Sequence, residues 1–190
     1  MTRPTASTTW TVSFPGTAPA GFLFRVAFPD RWLRIHSLPE SKRYAETESE
    51  RAEILRRHNT VASHMLGEGS DCILFLARFG QEKQWVADRD IPLNADRPEY
   101  ALTYENDGDE WQFFSTPIVW RSEQFNDLIL ASADDATGPL LFANTKLRTA
   151  YAPYDGGADL FFPDPSNVEG KRRSFVRGFP LVWTDGDGDA

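Results

Sequence analysis

The sequence predicts an α+β fold: a single mixed, mainly antiparallel sheet of about five to seven strands packed with about two or three helices. Aromatic residues make up 13% of the chain, with 14 Phe and 6 Trp, which is typical of a thick core built on a sheet. Most apolar segments are of strand length, and no aliphatic heptads occur. With 190 residues, of which 41% are hydrophobic, the chain can bury the core of one domain.

The first half of the chain contains two predicted strands and the clearest helix. Residues 22–28 alternate large apolar side chains with others, which indicates a strand, and residues 32–38 form a second extended segment. A helix is predicted over residues 47–66, because Thr47 and Glu50 have the spacing of a capping box and a glycine follows the last apolar residue.

The second half is dominated by short strands. A helix is predicted to begin at the cap Ser122 and to end at Asp134, and a last helical turn is expected at residues 171–177. Pro117 indicates an edge strand or a bend. The predicted strands are residues 72–79, 85–86, 100–104, 111–114, 118–120, 140–143, 147–151 and 158–162, of which the last three form a meander.

Three regions are expected along the chain. Residues 1–20 are rich in Thr, Ser, Pro and Gly and are predicted to form an extended N-terminal arm. Residues 21–184 form the single α+β domain, and residues 185–190 form an acidic disordered tail. The tail alternates Asp and Gly like the start of a calcium loop, but it lacks the glutamate that completes such a loop, so no metal is expected there.

The charge and the cysteine content restrict the partner and the compartment. The net charge of −8 argues against nucleic acid and suits a basic protein partner. No segment has the length and apolarity of a signal peptide or a membrane span. The single cysteine, Cys72, excludes an internal disulfide, so we expect a cytoplasmic protein. Cys72, His58 and His64 do not have the spacing of a zinc site, and we expect no cofactor.

The densest group of polar residues is the first motif, residues 34–44. Its candidate binding residues for an anion or a partner are Arg34, His36, Lys42, Arg43 and Tyr44. Arginine favours bidentate capture of phosphate or carboxylate, so the motif could build an anion pocket. Alternatively, the basic side chains pair with glutamates of the first predicted helix and His36 hydrogen-bonds a backbone carbonyl.

The second motif, residues 154–159, contains two glycines between acidic residues. Its candidates are Tyr154, Asp155 and Asp159. Turn chemistry explains an Asp-Gly-Gly sequence, while a functional interpretation pairs the two carboxylates for an acid/base step. No catalytic motif is present, so catalytic residues are not assigned and binding is favoured over catalysis.

The two motifs, together with the helical segment 53–59, resemble a family of small bacterial proteins of unknown function, the DUF3885-like group. The resemblance spans residues 32–162. It implies a bacterial origin and a shared fold, and it carries no activity.

Three functional hypotheses follow from these observations, and one of them is a purely structural or regulatory domain whose first motif only holds the first strand against the first predicted helix. The leading hypothesis is a non-enzymatic, acidic module that binds a basic protein, as bacterial immunity proteins bind a toxin or nuclease. The alternative is a small enzyme or ligand-binding protein for a phosphate or carboxylate compound, with Arg34, His36, Lys42 and Arg43 holding the anion. The alternative requires the two motifs to meet in space.

Overall fold

The structure is a computed structural model, and it describes residues 5–87, 91–106, 108–168 and 170. The predicted helical turn at residues 171–177 and the predicted acidic tail at residues 185–190 lie outside the described residues. The helices are α1 (Ala6–Ser13), α2 (Gly21–Ala27), α3 (Glu48–Leu66) and α4 (Asn126–Ala133). The strands are β1 (Trp32–His36), β2 (Asp71–Phe79), β3 (Glu99–Asn106), β4 (Asp109–Val119), β5 (Leu140–Asn144), β6 (Thr149–Tyr154) and β7 (Gly157–Phe161).

The described strands form one seven-stranded sheet in the order β1-β7-β6-β5-β2-β4-β3, and every neighbouring pair is antiparallel. The predicted α+β class is therefore confirmed. Strands β5 to β7 form the predicted meander, because short turns join each to its neighbour. Strand β1 then joins the far side of β7, which brings the first motif beside the second.

The two faces of the sheet carry different helices. Helices α3 and α4 cover one face, where Ile54, Leu74 and Phe142 belong to one buried cluster. Helices α1 and α2 lie on the other face, where Trp10 and Phe24 pack with Phe75. Because both faces are covered, the central strands β2 and β5 are almost continuously apolar.

Helix α3 forms as predicted. The Thr47 hydroxyl accepts a hydrogen bond from the Glu50 backbone N–H, and the Glu50 carboxylate accepts one from the Thr47 backbone N–H. The helix ends at Gly67, whose φ of 81° suits glycine. The capping box therefore predicted the start of the helix to the residue.

The N-terminal predictions were wrong. Residues 6–13 are helical instead of extended, because Thr5 caps α1 and Trp10 is buried while its ring nitrogen donates to the Thr17 carbonyl. Residues 22–28 belong mainly to helix α2 instead of a strand. The pattern of apolar residues at every second position was ambiguous, because it also contains pairs of residues four positions apart, which lie on one face of a helix. Phe24 and Phe28 are such a pair, and their rings are in contact.

Several predicted boundaries in the second half also differ. Strand β4 is continuous through Pro117, which has no β3 partner because the β3 register ends at Ser115. Phe125, and not Ser122, occupies the N-cap of α4, without a side-chain cap. Residues 85–86 form no strand; Trp85 packs against Phe114 from a loop. No described helix combines the length and the apolarity that are needed to cross a membrane.

Candidate functional site

A cleft of about 290 Å³ opens where β6 ends, between helix α2 and the loop that follows α4. The charged and phenolic side chains in its wall are Arg25, Arg34, Asp135, Tyr154, Asp155 and Asp159. Four of them come from the predicted motifs. The cleft is therefore the place where the first and second motifs contribute to one surface.

Strand pairing brings the motifs together. Arg34 of β1 and Asp159 of β7 are directly opposite each other, and so are His36 and Gly157. The Ser37 backbone N–H donates to the Gly156 carbonyl at 2.9 Å, which extends the contact beyond the end of β1. The spatial requirement of the alternative hypothesis is thus met for Arg34, although His36 does not line the cleft.

The Arg34 guanidinium is held between two aromatic rings. It lies 5.4 Å from the Trp32 ring centre and 5.2 Å from the Tyr154 ring centre. Its Nε donates to Asp159 Oδ1 over a long 3.5 Å. Neither η nitrogen makes a hydrogen bond to the described part of the chain. Since the Arg34 side chain is 21% exposed, these donors remain available to a bound group.

Asp159 lies at the base of the cleft and is only 5% exposed. Burial raises the pKa of its carboxyl group, while the hydrogen bond from Trp32 and the positive charge of Arg34 oppose this change. The Trp32 ring nitrogen donates to Asp159 Oδ1 at 2.9 Å. Asp159 therefore orients both the indole and the guanidinium, and it supplies a buried acceptor beneath the cleft.

Arg25 reaches the cleft from helix α2. Its guanidinium lies 5.6 Å from the Trp32 ring centre, on a side chain that is half-buried. It makes no ion pair with a carboxylate of the described residues. The described residues thus give the cleft two guanidinium groups, and within this part of the chain only that of Arg34 has an ion-pair partner.

The turn between β6 and β7 is bound by the loop after β1. Arg43 donates to Asp155 Oδ2 at 2.5 Å, and the Tyr44 hydroxyl donates to the same oxygen at 2.9 Å. A Cβ on Gly156 would lie 3.2 Å from Arg43 Cγ, so glycine lets the two segments approach closely. Arg43 and Tyr44 accordingly act from outside the cleft wall, by holding Asp155 in position.

The remaining candidates of the first motif are engaged elsewhere. The Lys42 ammonium pairs with Glu50 at 2.7 Å and with Glu46 at 3.1 Å, and these hydrogen bonds raise its pKa. Pairing with a helix glutamate, the alternative interpretation, is therefore what Lys42 does. Arg34 and Arg43 pair instead with the aspartates of the second motif. The pKa of His36 is lowered by burial, and further by the charges of Arg34 and Arg57.

Tyr154 and Asp155 occupy the rim of the cleft. Burial raises the pKa of Tyr154, and the nearby Asp159 carboxylate raises it further, so the phenol stays protonated and can donate a hydrogen bond. A Cβ at Gly157 would collide with the Ile35 carbonyl. The Asp-Gly-Gly sequence therefore forms the tight turn that its composition predicted. Its aspartate, Asp155, also lies in the cleft wall.

A buried polar chain lies on the opposite face of the sheet. The Ser37 hydroxyl is 2.8 Å from Nε2 of His58, and Nδ1 of His58 is 2.6 Å from the Tyr151 hydroxyl. All three side chains are fully buried. His58 is thus a core histidine whose two ring nitrogens both have hydrogen-bond partners. None of these three residues belongs to the cleft wall, so their hydrogen-bonded network is separate from the cleft.

The described residues contain no group of three or more His, Cys, Asp or Glu side chains that could hold a metal ion. Cys72 is buried in β2, and burial raises the pKa of its thiol to about 12, which keeps it protonated and unreactive.

A comparison with protein-family models identifies the family. Residues 20–175 match the model described as "Domain of unknown function (DUF3885)". The chain belongs to this family. The match includes every residue of the cleft, whereas helix α1 precedes it. Searches of curated proteins and of solved structures found no match.

The sequence did not point to two charged residues of this DUF3885 cleft. Arg25 lies in a segment that was interpreted as a strand, and Asp135 follows α4 with a φ of 53°. Each is isolated among unrelated neighbours in the sequence. The packing of α2 against β6 and β7 brings Arg25 to the motif residues, and the packing of α4 against β6 brings Asp135.

Proposed function

We propose that this DUF3885 protein is a ligand-binding protein whose cleft holds a small polar molecule with a carboxylate or phosphate group. The observation that carries the proposal is the presence of two guanidinium groups, Arg25 and Arg34, in the wall of one concave site. A bound anion would contact the guanidinium of Arg25, which makes no ion pair with a described residue, and the η nitrogens of Arg34. The aromatic rings around Arg34 fix its orientation in advance, which lowers the entropic cost of binding.

The carboxylates of the cleft favour hydrogen-bond donors on the same ligand. Asp135 and Asp155 line the cleft together with the protonated hydroxyl of Tyr154. A ligand that carries both an acidic group and hydroxyl or amino groups would match these side chains and the two arginines. The volume of about 290 Å³ lies at the lower limit of about 300–1,000 Å³ that is usual for ligand pockets, which favours a small metabolite.

Binding without catalysis is proposed because the cleft shows no nucleophile activated by a base. The hydroxyl of Ser132, which lies in the cleft wall, donates a hydrogen bond to the Pro153 carbonyl at 2.9 Å. No hydrogen bond joins it to a histidine or a carboxylate of the described residues. The basic protein partner that the net charge predicts would require a different surface, because the cleft presents arginines.

The proposal is tested by calorimetric titration with inorganic phosphate and with succinate as probes. Arg25→Gln should weaken binding by about tenfold or more, since a hydrogen bond to a charged group contributes about 1.5–3 kcal/mol. Arg34→Lys keeps the positive charge but loses the planar guanidinium, which can bind an anion through two parallel hydrogen bonds, so it should weaken binding as well. Both variants should retain the unfolding midpoint within a few degrees, because neither residue is fully buried.

Arg31→Gln is the matched control. Arg31 lies over the Phe28 ring and outside the cleft, so this variant loses the same charge without touching the site. Equal losses in Arg25→Gln and Arg31→Gln would mean that only the net charge matters. That result, or the absence of binding to the unaltered protein, would refute the cleft as an anion site.

A further inference from the structure

Strand β3 forms one edge of the sheet. Its only strand partner in the described part of the chain is β4, and no other backbone hydrogen bond to a described residue involves residues 99–106. A bulge interrupts the register between Tyr100 and Leu102, but residues 102–106 run in regular pairing. This stretch therefore presents unpaired backbone groups in the geometry that another strand can join.

Two glutamates lie opposite each other beside this edge. Glu105 of β3 is the direct partner of Glu110 of β4, and neither makes an ion pair with a described basic residue. Like charges in this position destabilise an antiparallel pair. Glu110 accepts a hydrogen bond from the Gln112 side chain at 2.6 Å, whereas the exposed Glu105 makes no side-chain hydrogen bond or ion pair with a described residue. A cation on an added strand would relieve the repulsion.

The other face of the same edge carries an aromatic row. Tyr104, Trp111 and Phe79 come from successive strands β3, β4 and β2 and share one register position. Phe79 is 65% exposed although its ring lies 5.4 Å from that of Trp111, and Phe22 of α2 joins the row at 6.2 Å while 41% exposed. The row is thus only partly covered by α2, and apolar surface remains open beside the edge.

We propose that residues 102–106 bind an extended segment of a partner protein by strand addition, and that basic and apolar side chains alternate in this segment. Alternation follows from the geometry, because successive side chains of an added strand point to opposite faces. Apolar side chains would contact Tyr104 and its row, and Lys or Arg would face Glu105. Residues 102–106 do not line the cleft, although Phe22 of the aromatic row also lies in the cleft wall, and the edge fits the basic protein partner that the net charge of −8 predicts.

A second copy of this chain fits the edge less well. Pairing β3 with itself would add the carboxylates of another copy to Glu105 and Glu110 and supply no cation. The partner is therefore inferred to be a different, basic chain.

The test uses a synthetic peptide in which Lys and Val alternate, and a matched peptide in which Glu replaces Lys. The Lys peptide should bind the full chain, as measured by fluorescence anisotropy, and the Glu peptide should not. Glu105→Lys should weaken binding by about tenfold, since it puts a like charge opposite the peptide. Phe79→Ser should also weaken binding, and this exposed position tolerates the change without unfolding.

Asp30→Lys is the control for net charge. Asp30 is exposed in the turn before β1, at the other edge of the sheet, and its change alters the protein charge by the same amount as Glu105→Lys. Binding should persist in Asp30→Lys, and bound peptide should slow hydrogen exchange at the amides of residues 102–106. Equal losses in the two lysine variants, unchanged exchange at this strand, or a stable homodimer that excludes the peptide would each overturn the inference.

Discussion

Arg34 and Asp159 are separated by 125 residues in the sequence and are direct partners across the β1–β7 pair. Their ion pair is long, at 3.5 Å, and Asp159 receives a shorter hydrogen bond of 2.9 Å from Trp32. The Trp32 indole and the Arg34 guanidinium therefore both compensate the Asp159 carboxylate for the water that it loses on burial. This arrangement has a measurable consequence for the stability of the protein.

We expect Asp159→Asn to change how stability depends on pH. Burial raises the pKa of Asp159 above its ordinary value of 3.8. A raised carboxyl pKa in the folded state gives a contribution to stability that is present below pH 3.8 and is lost as pH rises through the folded pKa. The asparagine variant cannot ionise, and its Oδ1 still accepts from Trp32. Its free energy of unfolding, relative to the unaltered protein, should increase as pH rises from about 4 to 7.

Urea unfolding at a series of pH values measures this difference. The comparison between the two proteins cancels the contributions of all other carboxyl groups. Parallel stability curves over the whole range would contradict the raised pKa of Asp159. A difference that decreases with rising pH would mean that the hydrogen bond from Trp32 and the charge of Arg34 outweigh burial.

Local signals predicted the elements that depend on neighbouring residues. Helix α3 begins at its capping box and ends at Gly67, and both signals lie within a few residues of the helix ends. Helix α2 was missed because Phe22, Phe24 and their neighbours satisfy a strand period and a helical contact pattern at once. Such a short segment takes its conformation from tertiary packing, here from Phe24 against Phe161.

The candidate site was predicted in part for the same reason. Arg34, Tyr154, Asp155 and Asp159 were found because each belongs to a dense local motif. Their meeting could not be read from the sequence, because the pairing of β1 with β7 depends on the order of all intervening strands. The sequence also could not show that Lys42 lies outside the anion site. In the structure its ammonium group pairs instead with the carboxylates of Glu46 and Glu50.

We expect Gly157→Ala to destabilise the protein by about 2 kcal/mol or more, because the new methyl group would collide with the Ile35 carbonyl. It would also lie 2.8 Å from the Tyr154 hydroxyl oxygen. Backbone atoms of a paired strand cannot move aside as a flexible side chain can, so β1 would have to shift. Thermal and urea unfolding measure the loss, and Gly170→Ala is the control, since no described residue lies within 4 Å of its added methyl group. Equal stability of the two variants would refute close contact between β1 and β7 at this position.

Acid sensitivity is expected from His58. Its ring is fully buried between Ser37 and Tyr151, and burial, followed by the charge of Arg57, lowers its pKa from 6.5 to about 3. Between these pH values the unfolded chain binds a proton that the folded chain does not. The contribution to stability is therefore fully present above pH 6.5 and is lost as pH falls toward 3.

His58→Gln tests this assignment. At neutral pH the variant should be less stable by about 1–3 kcal/mol, because a glutamine cannot satisfy the hydroxyls of Ser37 and Tyr151 in the same geometry. The deficit should shrink as pH falls from 6.5 toward 3, since only the unaltered protein has a histidine that must stay neutral in the core. The exposed His64→Gln should change stability by less than about 0.5 kcal/mol at neutral pH. A deficit for His58→Gln that stays constant with pH would mean that the ring binds its proton in the folded protein at the same pH as in the unfolded chain, which would contradict the lowered pKa.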